Sequence, residues 1–323
     1  MFKMLLIPFF LSGLFAIPVS ILLVDVNNKA VQPDTQKVSP DSTNFSDSVS
    51  VKNSLEFHET IKESTDSLII RSLDRTIKND AFSVGEKFTF DIKFNFIKAG
   101  TATMEVTDLV FVHDSIPAYR IVSTAKSAKG VDLFYKVRDS VESIIDTTGI
   151  FSWQFRKQLR EGGYKFDLDV NYDQIHGRAL IETIRYHDKE PLMVKKRETF
   201  ELPIPEYAID VLGAFYFVRT QYLETGMPID MINHDNKKIY DLRVYIQRKE
   251  RVKVGAGEFD CIMVEPQLKG DAVFQQKGKL WVWLTDDELK IPVKMKSKAF
   301  IGSITSNLVK IEGIKKKIKA KVR

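Results

Sequence analysis

Strict alternation of apolar and polar residues is the feature that most constrains how this chain can fold. From Phe88 to Phe96 the alternation runs without a break, which is typical of a strand with one buried face. Further segments of this kind follow, separated by turn residues such as Gly, Asn and Asp. They comprise residues 104–111, 119–124, 133–145, 151–159, 164–172, 178–186, 194–200, 238–247, 259–266, 279–285, 291–299 and 304–311. The pattern predicts an all-β fold whose strands are mainly antiparallel.

One segment departs from the alternation. Residues Tyr207 to Glu224 follow two prolines, end before Gly226, and are long enough for a helix of about five turns. Their apolar side chains would cover nearly the whole circumference of such a helix, which indicates burial on more than one side. A meander of a dozen or so strands also tends to curl. We therefore expect a strongly curved sheet or incomplete β-barrel with one buried helix near residues 206–224.

Residues 1–24 predict export. Met1 to Lys3 carry one positive charge, and Met4 to Val24 contain no charged side chain. This is the layout of a signal peptide or of an N-terminal membrane anchor, and the absence of a well-placed cleavage point leaves both open. The expected location is therefore the periplasm or the cell envelope, with the protein anchored there if the segment is retained.

Three further regions follow this segment. Residues 25–80 are rich in Ser, Asp, Asn and Thr, so they cannot bury enough surface to fold, and they are predicted to form a polar flexible tether. Residues 81–313 contain the alternating segments and are predicted to form a single β-rich domain. Residues 314–323 are predicted to form a basic tail that extends into solvent.

Positive charge is concentrated at the C-terminus. The whole chain has a formal net charge of +5, and Lys310 to Arg323 alone exceed this value because seven basic residues stand there beside Glu312. The rest of the chain is close to neutral, which argues against nucleic acid as a partner. We expect membrane contact through the N-terminal segment and a weak contact of the basic tail with anionic lipid.

No motif in the sequence indicates catalysis. The chain contains no His-Glu-x-x-His zinc motif, no Gly-x-Ser-x-Gly elbow and no phosphate-binding glycine loop, and its five histidines are far apart. The single cysteine, Cys261, shares a strand face with Phe259 and Met263, as a small core residue would. We therefore predict no catalytic residue, no metal ligand and no cofactor.

Several short segments together resemble domain-of-unknown-function family 3108, a family of exported bacterial proteins. The resemblance covers about residues 82–312 and rests on the order and spacing of the segments. They are Val84-Gly85-Glu86-Lys87-Phe88, Ile97-Lys98-Ala99-Gly100, Arg138-Asp139 with Ser143 and Asp146, Arg160-Glu161-Gly162-Gly163-Tyr164, Asp210-Val211-Leu212-Gly213-Ala214-Phe215-Tyr216, and Leu280-Trp281-Val282-Trp283-Leu284-Thr285-Asp286-Asp287 with Pro292-Val293. The resemblance implies an exported all-β domain whose activity is not established, and it transfers no catalytic residue.

Seven residues in these segments are candidates for ligand binding. Trp281 and Trp283 share one strand face because they are two residues apart, and that face is either core, the commoner case, or the lining of an apolar pocket. The other candidates are polar or charged side chains that one cleft could collect. The full set is Arg138, Asp146, Arg160, Glu161, Tyr164, Trp281 and Trp283.

The sequence leaves three functions open. The first is a non-catalytic envelope protein that binds a lipid or another apolar molecule in a cavity of the curved sheet. The second is a structural or protein-interaction module of the cell envelope with a solid core. The third is an enzyme of unfamiliar type, which would need a cleft that gathers Arg138, Asp139, Asp146, Arg160 and Glu161.

Overall fold

A single antiparallel sheet accounts for most of the structure. The computed structural model describes residues 70–235, 238–269, 279–298 and 302–323, so the predicted N-terminal segment 1–24 and tether residues 25–69 lie outside the described residues. The strands are β1 (Lys87–Phe94), β2 (Ile97–Val112), β3 (Ile116–Ser127), β4 (Arg138–Asp146), β5 (Ser152–Glu161), β6 (Tyr164–Asp173), β7 (Arg178–Tyr186), β8 (Val194–Pro203), β9 (Ile229–Asp235), β10 (Lys238–Val254), β11 (Gly257–Leu268), β12 (Leu280–Thr285), β13 (Pro292–Lys298) and β14 (Ser303–Glu312). Two helices, α1 (Lys129–Asp132) and α2 (Val211–Thr220), complete the fold in these ranges.

The strands form a meander in which nearly every neighbour in sequence is a neighbour in space. The fourteen strands pair in the order β8-β7-β6-β5-β4-β3-β2-β1-β14-β13-β12-β11-β10-β9. The pairing of β1 with β14 joins the two halves of the chain, and β8 and β9 remain as the two edges. The sheet is therefore not closed into a barrel.

The sheet curls around one apolar core. Phe90 on β1, Val170 on β6 and Val244 on β10 belong to the same buried cluster, although their strands are far apart in the sheet. An ion pair of 3.1 Å between Lys157 on β5 and Asp235 on β9 also spans this concave side. The predicted fold class, a strongly curved antiparallel sheet with one buried helix, is confirmed.

The buried helix is shorter than the sequence predicts. It spans Val211–Thr220, whereas the prediction was Tyr207 to Glu224. Tyr207 has a positive φ of 58°, which a right-handed helix cannot accommodate, and Gln221 is extended. Proline positions and apolar composition alone did not reveal these two breaks. The expected burial is nevertheless present, because α2 packs against the concave side of the sheet.

Two connections also differ from the predicted strand pattern. Residues 133–137 are not the start of a strand; a turn follows the short helix α1, Val137 forms an isolated bridge with Glu161, and β4 begins at Arg138. The edge strand β9 was missed, since its segment contains Asn233, His234 and Asp235 and follows Pro228, none of which favours a strand.

The C-terminal residues fold back onto the sheet, so the prediction of a basic tail in solvent is wrong. The Val322 N–H donates to Glu258 O at 2.8 Å, and the Asp260 N–H donates to Ala320 O at 2.9 Å. This pairing is possible because β12 covers β11 only from Cys261 onward, which leaves the first residues of β11 an open edge. Ala320 is buried, while most of the lysines around it point outward.

The predicted tether also ends earlier than expected. Residues 70–80, assigned by composition to the tether, lie against the sheet. Arg71 donates to Ile204 O and Arg75 donates to Gly149 O, each at 2.8 Å, and the Arg75 guanidinium lies 4.2 Å from the centre of the Tyr207 ring. Long arginine side chains therefore supply the contacts that the polar composition of this segment seemed to exclude.

Antiparallel pairing places successive connections at alternating ends of the sheet. The turns β2–β3, β4–β5, β6–β7, β10–β11 and β12–β13 share one end, where α2 is held as well, and we call it the helix end. The turns β1–β2, β3–β4, β5–β6 and β7–β8 share the opposite end, which we call the rim.

Candidate functional site

An apolar groove lies between α2 and the concave faces of β10 to β13. Alternation along these strands turns every second side chain toward the helix, as it does for Leu242 and Val244 on β10. The groove extends toward the rim, because Leu280 is the first residue of β12 at that end. Its lining is apolar throughout and consists of Val211, Ala214, Phe215, Val218, Leu242, Val244, Val264, Pro266, Leu280, Val282, Leu284 and Met295.

The groove is narrow as it stands. Its volume is about 60 Å³, which corresponds to about two water molecules in the liquid, whereas pockets for drug-sized ligands measure roughly 300–1,000 Å³. Val211 and Phe215 are half-buried on the helix side and have apolar side chains, so they can move without breaking a side-chain hydrogen bond. An apolar chain can enter only when such side chains widen the groove.

A buried carboxylate fixes the start of α2. Asp210 caps the helix, since its Oδ1 accepts the N–H groups of Leu212 and Gly213 at 2.8 Å each. Its Oδ2 accepts the hydroxyls of Ser143 and Ser152 at 2.5 Å each. Burial raises the pKa of Asp210, and the four hydrogen bonds oppose that rise. The cap ties the helix to β4 and β5.

A buried ion pair fixes the other end of α2. Arg219 and Glu86 are both fully buried, and the guanidinium binds the carboxylate through two bonds of 2.5 and 3.0 Å. The same guanidinium donates to Leu289 O and Ala81 O at 3.1 Å. With both ends held, α2 has a fixed position in front of the groove.

A few polar side chains also lie on the concave side near the groove. Lys157 and Asp235, the ion pair that joins β5 to β9, are each mostly buried. Tyr240 lies two residues before the groove residue Leu242 on β10, and burial, together with the charge of Asp235, raises its pKa to about 12. Polar groups therefore stand within the concave side near the apolar groove, an arrangement that suits an amphiphilic ligand.

Three of the predicted charged residues meet near the rim. The Arg160 N–H donates to Asp139 Oδ1 at 2.8 Å, and Glu161, which follows it, is also buried. Burial raises the pKa of Asp139, while bonds from Arg160 and Glu161 lower it in part. The β5–β6 turn beside them depends on Gly162, whose φ is +54° and where a Cβ would lie 2.8 Å from the Tyr135 ring.

The remaining charged candidates are occupied elsewhere. Arg138 pairs with Asp132 of α1 at 2.6 Å, and the Arg185 guanidinium lies 3.8 Å from the centre of the Tyr164 ring. Asp146 is at the helix end, where it accepts the N–H groups of Thr148 and Gly149 in the β4–β5 turn. An enzyme of unfamiliar type would need one cleft that gathers Arg138, Asp139, Asp146, Arg160 and Glu161, and the structure does not bring these residues together, because the β4–β5 turn holds Asp146 at the opposite end.

Neither tryptophan candidate lines the groove. Trp281 and Trp283 lie on the opposite face of β12 from the groove residues Val282 and Leu284. Trp283 packs in a cluster with Phe259 and Cys261, the cluster that the C-terminal residues partly cover, and its Nε1 donates to Glu250 at 2.6 Å. The prediction that Cys261 shares a core face with Phe259 and Met263 is confirmed.

A larger groove of about 700 Å³ lies on the other face of the sheet, across β2 to β8. Trp153 and Phe111 supply apolar surface there, but much of the lining is charged. These charges already pair with one another, Arg120 with Glu142 at 2.7 Å and Arg178 with Asp173 at 3.0 Å. An apolar ligand would therefore lie against charged side chains, so this groove is the weaker candidate.

Sequence reasoning missed the strand side of the apolar groove. It predicted an apolar, buried helix over this segment, but it named none of the residues on β10, β11 and β13 as facing that helix. Alternation could have identified the inward-facing residues of these strands. It could not have shown that they face the helix, because this depends on how far the sheet curls.

Two kinds of feature are absent from the part of the chain that the structure describes. No three His, Cys, Asp or Glu side chains converge there as metal ligands would. No helix in this part of the chain has the length and apolar character needed to cross a membrane.

Comparisons with known proteins found one matching family and several similar solved structures. The profile of the family described as protein of unknown function (DUF3108) matches residues 89–309, nearly the whole sheet. No curated protein matches the chain. A beta-barrel-like protein of domain of unknown function DUF1849 from Brucella abortus has 10% identity and a TM-score of 0.45, and the match covers 72% of this chain and 99% of that one.

Two other solved structures resemble the chain at 10% identity. A Bacteroides fragilis protein with a YmcC-like fold, described as a candidate exported protein, has a TM-score of 0.33, with 74% of this chain and 100% of that chain covered. A candidate lipoprotein from Parabacteroides distasonis has a TM-score of 0.32, with 74% and 99% covered.

Proposed function

The chain belongs to the DUF3108 family of proteins of unknown function, and from this premise we propose that it is an exported, non-catalytic protein that binds the acyl chain of an envelope lipid in the groove beside α2. The observation that carries the proposal is the lining of that groove, which contains twelve apolar residues and no polar one. Export is supported by the uncharged segment from Met4 to Val24.

The position of the groove supports an acyl chain as the ligand. The groove runs from α2 toward the rim, so a chain can lie along it with one end near the rim, while the polar residues Lys157, Asp235 and Tyr240 offer partners to a headgroup. Removing apolar surface from water stabilises a complex by about 25 cal/mol per Å². An acyl chain that displaces Val211 and Phe215 would therefore be stabilised along its whole buried length.

The test is native mass spectrometry of the full chain purified from a bacterial envelope. We expect a co-purifying lipid, and we expect Ala214→Leu to lower its occupancy because the longer side chain fills the groove. Thr220→Leu is the matched control, since this residue lies on the same helix but outside the groove. An empty protein, or equal occupancy in both variants, would show that the groove binds no lipid.

The small volume of the groove favours a second candidate, a structural or interaction module with a solid core. A volume of about 60 Å³ is close to that of an ordinary packing defect. In that case Ala214→Leu would overpack the core and destabilise the protein by about 1–3 kcal/mol. A denaturant melt of this variant therefore separates the two candidates even if no lipid is recovered.

A further inference from the structure

The turns of the rim carry large apolar side chains in solvent. Phe96 of the β1–β2 turn is 85% exposed, Leu133 and Phe134 of the β3–β4 connection are 81% and 83% exposed, and Met193 before β8 is 59% exposed. These residues are far apart in sequence, and only the meander brings them to one end of the sheet. Packing within the fold therefore does not explain why these positions carry large apolar side chains.

The exposed residues form a row rather than isolated contacts. Neighbouring strands lie about 4.8 Å apart, so turns that are two strands apart follow one another at about 10 Å along the rim. Ile97 extends the row beside Phe96, and Leu192 and Val194 extend it beside Met193. The row is interrupted at the β5–β6 turn, whose residues Gly162 and Gly163 carry no apolar side chain, so the tip at Met193 stands apart from those at Phe96, Leu133 and Phe134. Single apolar side chains on a surface are ordinary, whereas several exposed tips at the same end of a sheet mark an interaction site.

The charge around this row is positive. Lys129 and Lys136 flank the β3–β4 tip, and Lys189 and Lys195 flank the β7–β8 tip. All four are exposed, and none forms a salt bridge with a residue in the described ranges. Their ammonium groups are therefore available to bind an anion on another molecule.

The acidic residues of these two connections are largely neutralised within the protein. Asp132 pairs with Arg138 at 2.6 Å, and Glu190 pairs with Lys165 at 2.7 Å. Asp188 remains as the exposed acidic side chain of the β7–β8 connection. The lysines thus determine the charge that an approaching surface meets.

We propose that the rim is a membrane-docking surface, in which the tips at Phe96, Leu133, Phe134 and Met193 enter the interfacial region of a bilayer while the flanking lysines bind anionic phospholipid headgroups. Apolar side chains of interfacial segments enter a bilayer by about 5–10 Å, which matches side chains at the tips of turns. The combination of apolar tips and free lysines fits a lipid surface better than it fits a protein with an apolar patch. The inference goes beyond lipid binding in the groove and does not require it.

A dye attached at the rim tests the docking directly. The full chain receives one cysteine, Phe134→Cys at the rim or Phe111→Cys on β2 near the helix end, and an environment-sensitive dye is attached to it. The two positions are matched, since Phe111 is also exposed, at 66%, and the substitution is identical. Cys261 is buried and does not compete for the dye. Because both proteins keep residues 1–69, a contact made by the N-terminal segment alone affects them equally.

The emission of the dye at position 134 should shift to shorter wavelength when phosphatidylcholine vesicles that contain phosphatidylglycerol are added. The emission of the dye at position 111 should not shift. Adding Lys129→Gln and Lys136→Gln should raise the lipid concentration for half-maximal response about thirtyfold, since each of the two surface lysines contributes about 1 kcal/mol to anionic lipid binding. An equal response at both positions, no response at 134, or a response at 134 that is the same without phosphatidylglycerol would each overturn the proposal. Unchanged tryptophan emission establishes that the variants are folded.

Discussion

The anchoring of α2 at one end of the sheet contrasts with the exposed turn tips at the other end. At the helix end, polar groups are buried and satisfied: Arg219 with Glu86, and Asp210 with two serine hydroxyls. At the rim, apolar groups such as Phe96 and Phe134 are left in water. Buried charge and exposed apolar surface both cost free energy unless a partner offsets the cost. The buried polar groups at the helix end have their partners within the chain. The exposed apolar groups at the rim leave a surface that another molecule could cover.

The largest effect should come from breaking the ion pair at the helix end. Glu86→Ala leaves the Arg219 guanidinium buried without its carboxylate, which should reduce the free energy of unfolding by about 3–5 kcal/mol. Glu105→Ala is the control, because Glu105 pairs with Lys87 at 2.7 Å on the surface, and such pairs contribute about 0–1 kcal/mol. Urea melts measure both. Equal losses would show that the buried pair is no more important than a surface pair.

Removal of the C-terminal residues should also weaken the helix end. Deleting residues 315–323 removes the contacts of Ala320 and the backbone bonds to Glu258 and Asp260. We expect a loss of about 2 kcal/mol from these hydrogen bonds and the buried apolar area, which lowers the melting temperature by about 4–8 °C.

Thiol reactivity gives this deletion a second measurement. Burial raises the pKa of Cys261 to about 12, so the thiol is unreactive in the intact protein. The deletion should make it accessible to an alkylating reagent, because the C-terminal residues cover part of its cluster. Lys315→Ala combined with Lys317→Ala is the control, since both lysines are exposed. If the control changes melting as much as the deletion does, charge and not packing is responsible.

Substitutions at two adjacent residues of α2 test its packed side and its groove side separately. A Cβ at Gly213 would lie 2.9 Å from Ile209 and 3.1 Å from Ile145, so Gly213→Ala should cost about 1–2 kcal/mol despite its better helix propensity. Ala214→Leu points into the groove and should change stability by less than about 0.5 kcal/mol. Denaturant melts of both variants measure the difference. A larger loss from Ala214→Leu would mean that the groove cannot widen.

The contribution of Asp139, which lies near the rim, to the free energy of unfolding should depend on pH. Burial raises its pKa, so in the folded protein Asp139 keeps its proton to a higher pH than it does in the unfolded chain. The stability contributed by this group is therefore present below its unfolded pKa of about 3.9 and is lost as pH rises through the folded value.

Asp139→Asn removes this titration. Relative to the natural chain, the variant should gain stability as pH rises from about 4 toward neutrality, and urea melts at several pH values measure the difference. Asp169→Asn is a suitable control, because this carboxylate is partly exposed and pairs with Arg156 at 2.7 Å. A pH-independent difference for Asp139→Asn would show that its carboxyl group has an ordinary pKa.

The smallest effect on stability should come from the rim tips. Phe134→Ser removes a side chain that is 83% exposed, and it should change the free energy of unfolding by no more than about 0.5 kcal/mol. Phe88→Ser, at a fully buried position on β1, is the contrasting variant. A loss of several kcal/mol from Phe134→Ser would mean that the tip stabilises the fold, and the comparison between the two ends would then fail.

The alternation of apolar and polar residues is by itself enough to predict most of the strands. The segment beginning at Phe88, for example, alternates because one face of β1 packs on the core and the other meets solvent. The same rule placed Cys261 correctly beside Phe259 and Met263. Such periods are local, so a single sequence is enough to read them. The missed strand β9 lacks a clear period because it is a short edge strand with polar residues.

Features that join distant segments were decided only by the tertiary structure. Asp139 and Arg160 meet because β4 and β5 pair, and Asp146 is separated from them because the next turn lies at the opposite end. The C-terminal lysines look solvated in sequence, yet the open edge of β11 holds their backbone. The groove beside α2 and the apolar row of the rim likewise require the full curl and order of the strands. A pattern in one segment fixes which side of that segment is buried, but the partner on that side is set by long-range pairing, which local chemistry does not encode.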